Sequence, residues 1–183
     1  MSLLQGIAET ELLPENVCRV VDEVAKATGE TVAVAAPAGT NAVLLYVVES
    51  PSVIRFSAQV GHQVPIQATA TGRALLAQYS PRERASVLRK VKFEKYTTRS
   101  LASAERVEAE IKRAAAIGWH ENVEGHTSDL TGIAVPVGLR DRRLAIVVGG
   151  PTNRMRTKIP QIAASLKRAL KRHLPTGRLT ETD

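Results

Sequence analysis

Aromatic side chains are scarce in this chain: Phe, Trp and Tyr make up 3% of 183 residues. That argues against stacking platforms for single-stranded nucleic acid and leaves the core to Val, Ile, Leu and Ala. There is one cysteine, Cys18. A single thiol closes no internal disulfide, which favours a reducing, cytoplasmic setting, and Cys18 reads as a packing residue rather than a nucleophile. No run approaches the ~18 continuous apolar residues of a membrane span, so no membrane partner is expected. The opening MSLLQGIAET has neither a basic region nor an apolar signal core. Catalytic signatures are missing too. There is no nucleophile elbow, no Gly-rich phosphate loop of the required length and no helical i,i+4 pair of histidines. Without a placed base and nucleophile, the residues favour binding over turnover, with no catalytic residue, metal or cofactor assigned.

What is present is one domain's length of chain, 44% apolar. Lys and Arg number 25 against 18 Asp and Glu, a formal charge of +7. This permits nucleic-acid contact without requiring it. The excess gathers in residues 82–99, 140–143 and 154–172, each of which reads as a solvated face.

Periodicity orders the rest. Val17, Val20, Val21 and Val24 share one face of a helix over residues 14–28, with Gly29 just past its end. TVAVAA (31–36) and AVLLYVVE (42–49) read as a hairpin around Pro37-Ala38-Gly39-Thr40, and residues 53–58 as a third strand. Ser80 with Pro81 and Glu83 opens a short helix, and Ser103 caps AERVEAEIKRAAAIG. Residues 130–137 and 144–149 make a closing strand pair, followed by a helix over residues 159–174. The order predicts an α+β fold with one antiparallel sheet and helices over at least one face. Residues 1–13 read as an arm, with Met1-Ser2-Leu3 compatible with an expression remnant, 14–174 as the domain and 175–183 as a tail.

Two stretches invite a chemical reading. HENVEGHTSD sets His120 and His126 near Glu121, Glu124 and Asp129, residue types that suit zinc. The spacing lacks a specific metal motif, so a solvated loop beside a pocket is expected, and an enzyme using His120 and His126 is an alternative function. The second stretch, residues 52–77, runs from strand through a loop into the small-residue turn Gln67-Ala68-Thr69-Ala70-Thr71-Gly72. Small residues let backbone approach a guest, hydroxyls bond it, and a helix start offers free amides to an anion. This is read as one wall of a small-molecule pocket; a tight strand-to-helix packing site is the alternative.

Four segments in order then point to a family. VGHQVPIQATATGRALLA resembles the central loop and helix of the effector-binding domain of IclR-type bacterial transcriptional regulators. SPRERASVLRK with YTTRSLASAERVEAEIKRAAAIGWHENVEG resembles its helical connector, LTGIAVPVGLRDRRLAIVVGGP its closing hairpin, and TGETVAVAAPAGTNAVLLYVVES its opening one. The resemblance covers residues 14–174. It implies a GAF-like or profilin-like curved antiparallel sheet with flanking helices and an effector held over it. It also implies homodimers or homotetramers, and operator DNA bound only through an N-terminal winged helix-turn-helix that this sequence does not contain.

By position the resemblance assigns ligand contacts to Val53 and Phe56, to Ala70 and Thr71 as carboxylate donors, to Asn122, Leu130 and Gly132, and to Val147 and Gly149 as the floor. Family members often carry an acidic residue in place of Asn122, Cys or Ser in place of Gly132, and serines in place of Val147 and Gly149 when they sense small keto acids. A drier pocket here implies a small organic acid with an apolar body as the effector. Closure of residues 60–71 over the sheet is the expected response. A domain that only associates, with a filled core, is the remaining alternative.

Overall fold

A computed structural model describes residues 13–175. The arm expected over 1–13 and the tail over 175–183 lie outside these residues except at Leu13 and Pro175.

Helix α1, Glu15–Thr28, buries Val17, Val20, Val21 and Val24 and ends where Gly29 turns left-handed at φ 69°. Strands β1, Thr31–Ala38, and β2, Asn41–Val48, form the expected hairpin, with the turn confined to Gly39 and Thr40. Val34 lies opposite Tyr46 and Ala35 opposite Leu44, so Leu45 is one residue too many on β2. Such a bulge bends the strand and contributes to the curvature of the sheet. Short strand β3, Gln63–Pro65, leads to α2, Ala70–Leu76, and α3, Pro81–Leu88. Ser80 and Glu83 close a reciprocal capping box on α3. Helix α4, Ala104–Ile117, starts at the Ser103 cap and stops at Gly118, φ 87°. Strands β4, His120–Val123, β5, Leu130–Leu139, and β6, Arg142–Pro151, follow. One turn of helix, α5, Thr152–Met155, and a 3-10 turn, Arg156–Lys158, lead into α6, Ile159–His173. The six strands form one antiparallel sheet in the order β3-β2-β1-β6-β5-β4.

The third strand is not where the sequence places it. Residues 53–58 carry β-branched side chains yet join no ladder; Val53 is 93% exposed and Ile54 73%. Their backbone finds other partners. Thr31 Oγ1 donates to the Phe56 carbonyl at 2.6 Å, and Glu49 accepts from Ser57 Oγ at 2.8 Å and the Ala58 amide at 3.0 Å. The edge of β2 is taken by Gln63–Pro65, which pairs with Asn41, Ala42 and Val43.

The two faces of the sheet differ in kind. Val32, Val34, Leu45, Ile133, Val135, Leu144, Ile146 and Val148 point to one side, where α1 and α6 cover them with Val20, Val24, Ile162 and Leu166. Ala33, Ala35, Ala42, Ala134, Ala145 and Val147 point to the other, where α2 lays Ala70, Ala74 and Leu75 across them. Among the described residues no helix is long and apolar enough to cross a membrane. The basic stretches are partly neutralised by internal ion pairs, including Arg84–Glu108 at 2.7 Å, Arg143–Glu83 at 3.2 Å and Arg154–Glu30 at 2.7 Å.

Candidate functional site

Register builds the floor of the site. Residues opposite one another in an antiparallel pair share a face. One row across the small-residue face therefore runs Asn122, Gly132, Gly149, Thr31, and the next runs His120, Ala134, Val147, Ala33. The centre of both rows is Gly132, Gly149, Ala134 and Val147, so the helix above sits close. A methyl group added at Gly132 would lie 3.8 Å from both Ala70 Cβ and Val147 Cγ2. At Gly149 it would come within 2.8 Å of the Phe56 ring, which lies on that glycine.

Helix α2 begins on this floor. Thr69 caps it, accepting from the Gly72 amide at 3.1 Å. The approach is possible only because residue 72 is glycine: a Cβ there would fall 1.9 Å from the Ile66 carbonyl oxygen. Ala70 and Thr71 are the next two residues, 2% and 4% exposed. Among the described residues their amides and the Thr71 hydroxyl have no hydrogen-bond acceptor or donor opposite them. A helix start with unused donors over an apolar floor suits a carboxylate attached to an apolar body.

The structure gathers Phe56, Ala70, Asn122, Gly132, Val147 and Gly149 around this floor, with Thr71 the buried helical residue after Ala70. Leu130 stands at its margin, paired with Pro151 at the start of β5. Val53 is not among them. It lies at the exposed tip of the 51–60 segment, because that segment crosses the sheet end as a loop instead of alternating as a strand.

A polar seam flanks the site. Arg73 is 3% exposed and bridges α2 to the edge strand, donating to the carbonyls of Glu121 at 2.7 Å and Gln67 at 3.3 Å and to Asn122 Oδ1 at 3.4 Å. Burial lowers its pKa to about 10. On its outer side Arg73, Asn122, Arg113 and Glu121 help line a cleft of about 350 Å³. His120 belongs to the sheet, not to a solvated loop as the sequence suggests. It is 4% exposed, its Nδ1 has no partner, and burial, followed by the charges of Arg73 and Arg113, lowers its pKa to about 3. His126 stands apart against Tyr96, ring centroids 4.7 Å apart. Among the described residues no group of three or more His, Cys, Asp or Glu side chains is placed to hold a metal ion.

Sequence reasoning passed over three contributors: Arg73, the alanines of the floor, and the Glu30–Arg154 pair that holds the Ile54 carbonyl. The alanines are signalled in the strands themselves, where Ala or Gly alternates with Val, Ile or Leu. The arginines carry no such signal, since their partners lie 48 and 124 residues away.

The family model for the bacterial transcriptional regulator IclR C-terminal domain matches residues 8–172. The chain belongs to the IclR family. It is thus an effector-binding, regulatory domain, and its family is one of regulators rather than enzymes. It is 28% identical over 130 residues to the HTH-type transcriptional repressor AllR of Escherichia coli K12, covering 70% of this chain and 48% of that protein. The chain spans about half the length of that curated relative. The fold superposes on the C-terminal domain of the E. coli regulator KdgR with a TM-score of 0.77 at 23% identity, over 87% of this chain and 94% of that one. A putative regulator from Rhodococcus sp. RHA1 gives 0.85 at 21% identity, over 95% and 75%.

Proposed function

We propose that this IclR-family domain senses a small organic acid with an apolar body, held between α2 and the glycine–alanine floor. The observation that carries this reading is the pairing of unused donors at Ala70 and Thr71 with a floor of Gly132, Ala134, Val147 and Gly149. The carboxylate would bond the two amides and the Thr71 hydroxyl; the apolar body would take the place of the Phe56 ring over Gly149. Asn122 would contribute a neutral polar contact at the edge. A floor whose hydroxyl, on Thr31, is already spent on the Phe56 carbonyl leaves little to reward a keto acid as small as glyoxylate or pyruvate, because its polar oxygens would lose water without replacement.

In the full-length regulator the guest would act by population shift. Gln63–Pro65 is laddered to β2, so the part that would move is the preceding segment, 51–60, which carries Phe56 and lies outside the sheet ladder. Its apolar tip, Val53 and Ile54, offers a neighbouring subunit a surface whose position depends on the guest. A dimer or tetramer so rearranged would change the spacing of DNA-binding domains and hence operator affinity.

Calorimetric titration with benzoate, 3-hydroxybenzoate, hexanoate, pyruvate and glyoxylate tests the ligand class. Saturable binding of an acid with a ring or alkyl chain, in preference to the two keto acids, is expected. Binding of none, or of the keto acids alone, overturns the reading.

A further inference from the structure

We infer that Glu30 and Arg154 are positioning residues for the guest: together they latch the 51–58 segment so that Phe56 covers the floor, and they set how readily a guest enters and leaves. The inference rests on the small-residue face being the guest site, although its first readout needs no guest.

The latch is built from both sides. Glu30 follows α1, is 6% exposed, and takes both oxygens to one guanidinium: Arg154 Nε at 2.7 Å and Nη2 at 2.8 Å. A forked pair of this kind fixes orientation as well as distance. The remaining arm, Arg154 Nη1, donates to the Ile54 carbonyl at 3.0 Å. Ile54 itself is 73% exposed, so this end of the segment is held through its backbone and not by burial of its side chain. The sheet makes room for the carboxylate. A Cβ at Gly150 would lie 2.5 Å from Glu30 Oε2 and 3.2 Å from Met155 Cγ, so the pair grips the loop from the face opposite to the one on which Phe56 covers Gly149.

The latch also reaches the rest of the site. Arg154 is carried by α5, whose first residue is tied to β5 through Thr152 N to the Asp129 carbonyl at 2.8 Å and through the Thr152–Thr131 hydroxyl pair at 2.9 Å. Thr131 precedes the floor residue Gly132 on the same strand and faces the other side of the sheet, so this link runs through the β5 backbone. Of the other tethers, Thr31 to Phe56 and Glu49 to Ser57 and Ala58 lie beyond Ile54 along the chain, and the Ser52 amide donating to Ser50 Oγ at 3.2 Å lies before it. The pair therefore holds the middle of the loop at Ile54, two residues before Phe56, and α5 with α6 behind it would feel any movement there.

Amide hydrogen exchange by NMR on the ligand-free domain tests this in wild type, Glu30→Gln and Arg154→Lys. Both variants are expected to lose at least about tenfold in protection at Ser52, with Val32 and Ile146 in the sheet unchanged, as a local opening demands. Unchanged loop protection overturns the latch. Equal loss at loop and sheet overturns it as well, since the pair would then serve only global stability. With 3-hydroxybenzoate as probe, the variants should release the acid at least about tenfold faster than wild type, with a smaller change in the association rate. If wild type binds no acid, the exchange result still decides the latch, and only the ligand reading falls.

Discussion

One sheet presents two unlike faces. Toward α1 and α6 it shows Val, Leu and Ile, interlocked with helix residues that are almost wholly buried. Toward α2 it shows mainly Ala and Gly, with Leu44 and Val147, met by a seven-residue helix and a loop held by side-chain hydrogen bonds. The first arrangement gives stability through apolar area and close packing. The second gives little area per residue but brings backbone donors and an aromatic ring close to a flat floor. Stability and recognition are thus separated across the thickness of one sheet, and substitutions on the two sides should differ in which property they damage.

The largest expected effect lies on the helix-covered side. Leu166→Ala removes a side chain with no exposed surface and should cost about 3 kcal/mol in urea unfolding, while acid affinity measured on the folded protein stays within about twofold. A loss of affinity matching the loss of stability would erase the contrast. Next comes Gly72→Ala, whose new methyl would meet the Ile66 carbonyl. Backbone must move to admit it, so a cost of about 2 kcal/mol is expected, with weaker acid binding because the donors of Ala70 and Thr71 shift. This is the substitution for which both properties should fall together.

Gly149→Val sharpens the comparison in the opposite sense. It thickens the floor and displaces Phe56, a side chain with room to move, so it should weaken acid binding by at least about tenfold while costing under about 1 kcal/mol. The last effect concerns pH. His120 is held neutral by burial, with its folded pKa near 3 against 6.5 when free. The unfolded chain therefore binds the extra proton first, and stability should decline as pH falls from 6.5 toward 3. Equilibrium unfolding across that range should show a shallower decline for His120→Phe, which carries no titrating group; an identical slope would remove His120 from the account.

Much of the two-faced design is written in the strands. In TVAVAA, Val32 and Val34 go to the core and Ala33 and Ala35 to the floor; in LAIVVG, Leu144, Ile146 and Val148 separate from Ala145, Val147 and Gly149. Period-two alternation of large with small residues is as readable as apolar with polar. The helix ends at Gly29 and Gly118 and the caps at Ser80 and Ser103 were legible for the same local reason. Residues 53–58 were misread because β-branched composition reports a preference for extended backbone, not a partner strand, and here Thr31, Glu49 and Arg154 satisfy that backbone. The burial of His120 and Arg73 was hidden because it depends on how β4 and α2 pack, a distance the local sequence does not encode.

The central claim is that the small-residue face admits a guest where the other face is filled. A crystal structure of the domain grown with a mixture of benzoate, 3-hydroxybenzoate and hexanoate tests it most directly. The account predicts density over Gly132 and Gly149, a carboxylate within hydrogen-bond reach of the Ala70 and Thr71 amides, and Phe56 moved off Gly149. A floor still covered by the Phe56 ring, with acid bound elsewhere or nowhere, would contradict it.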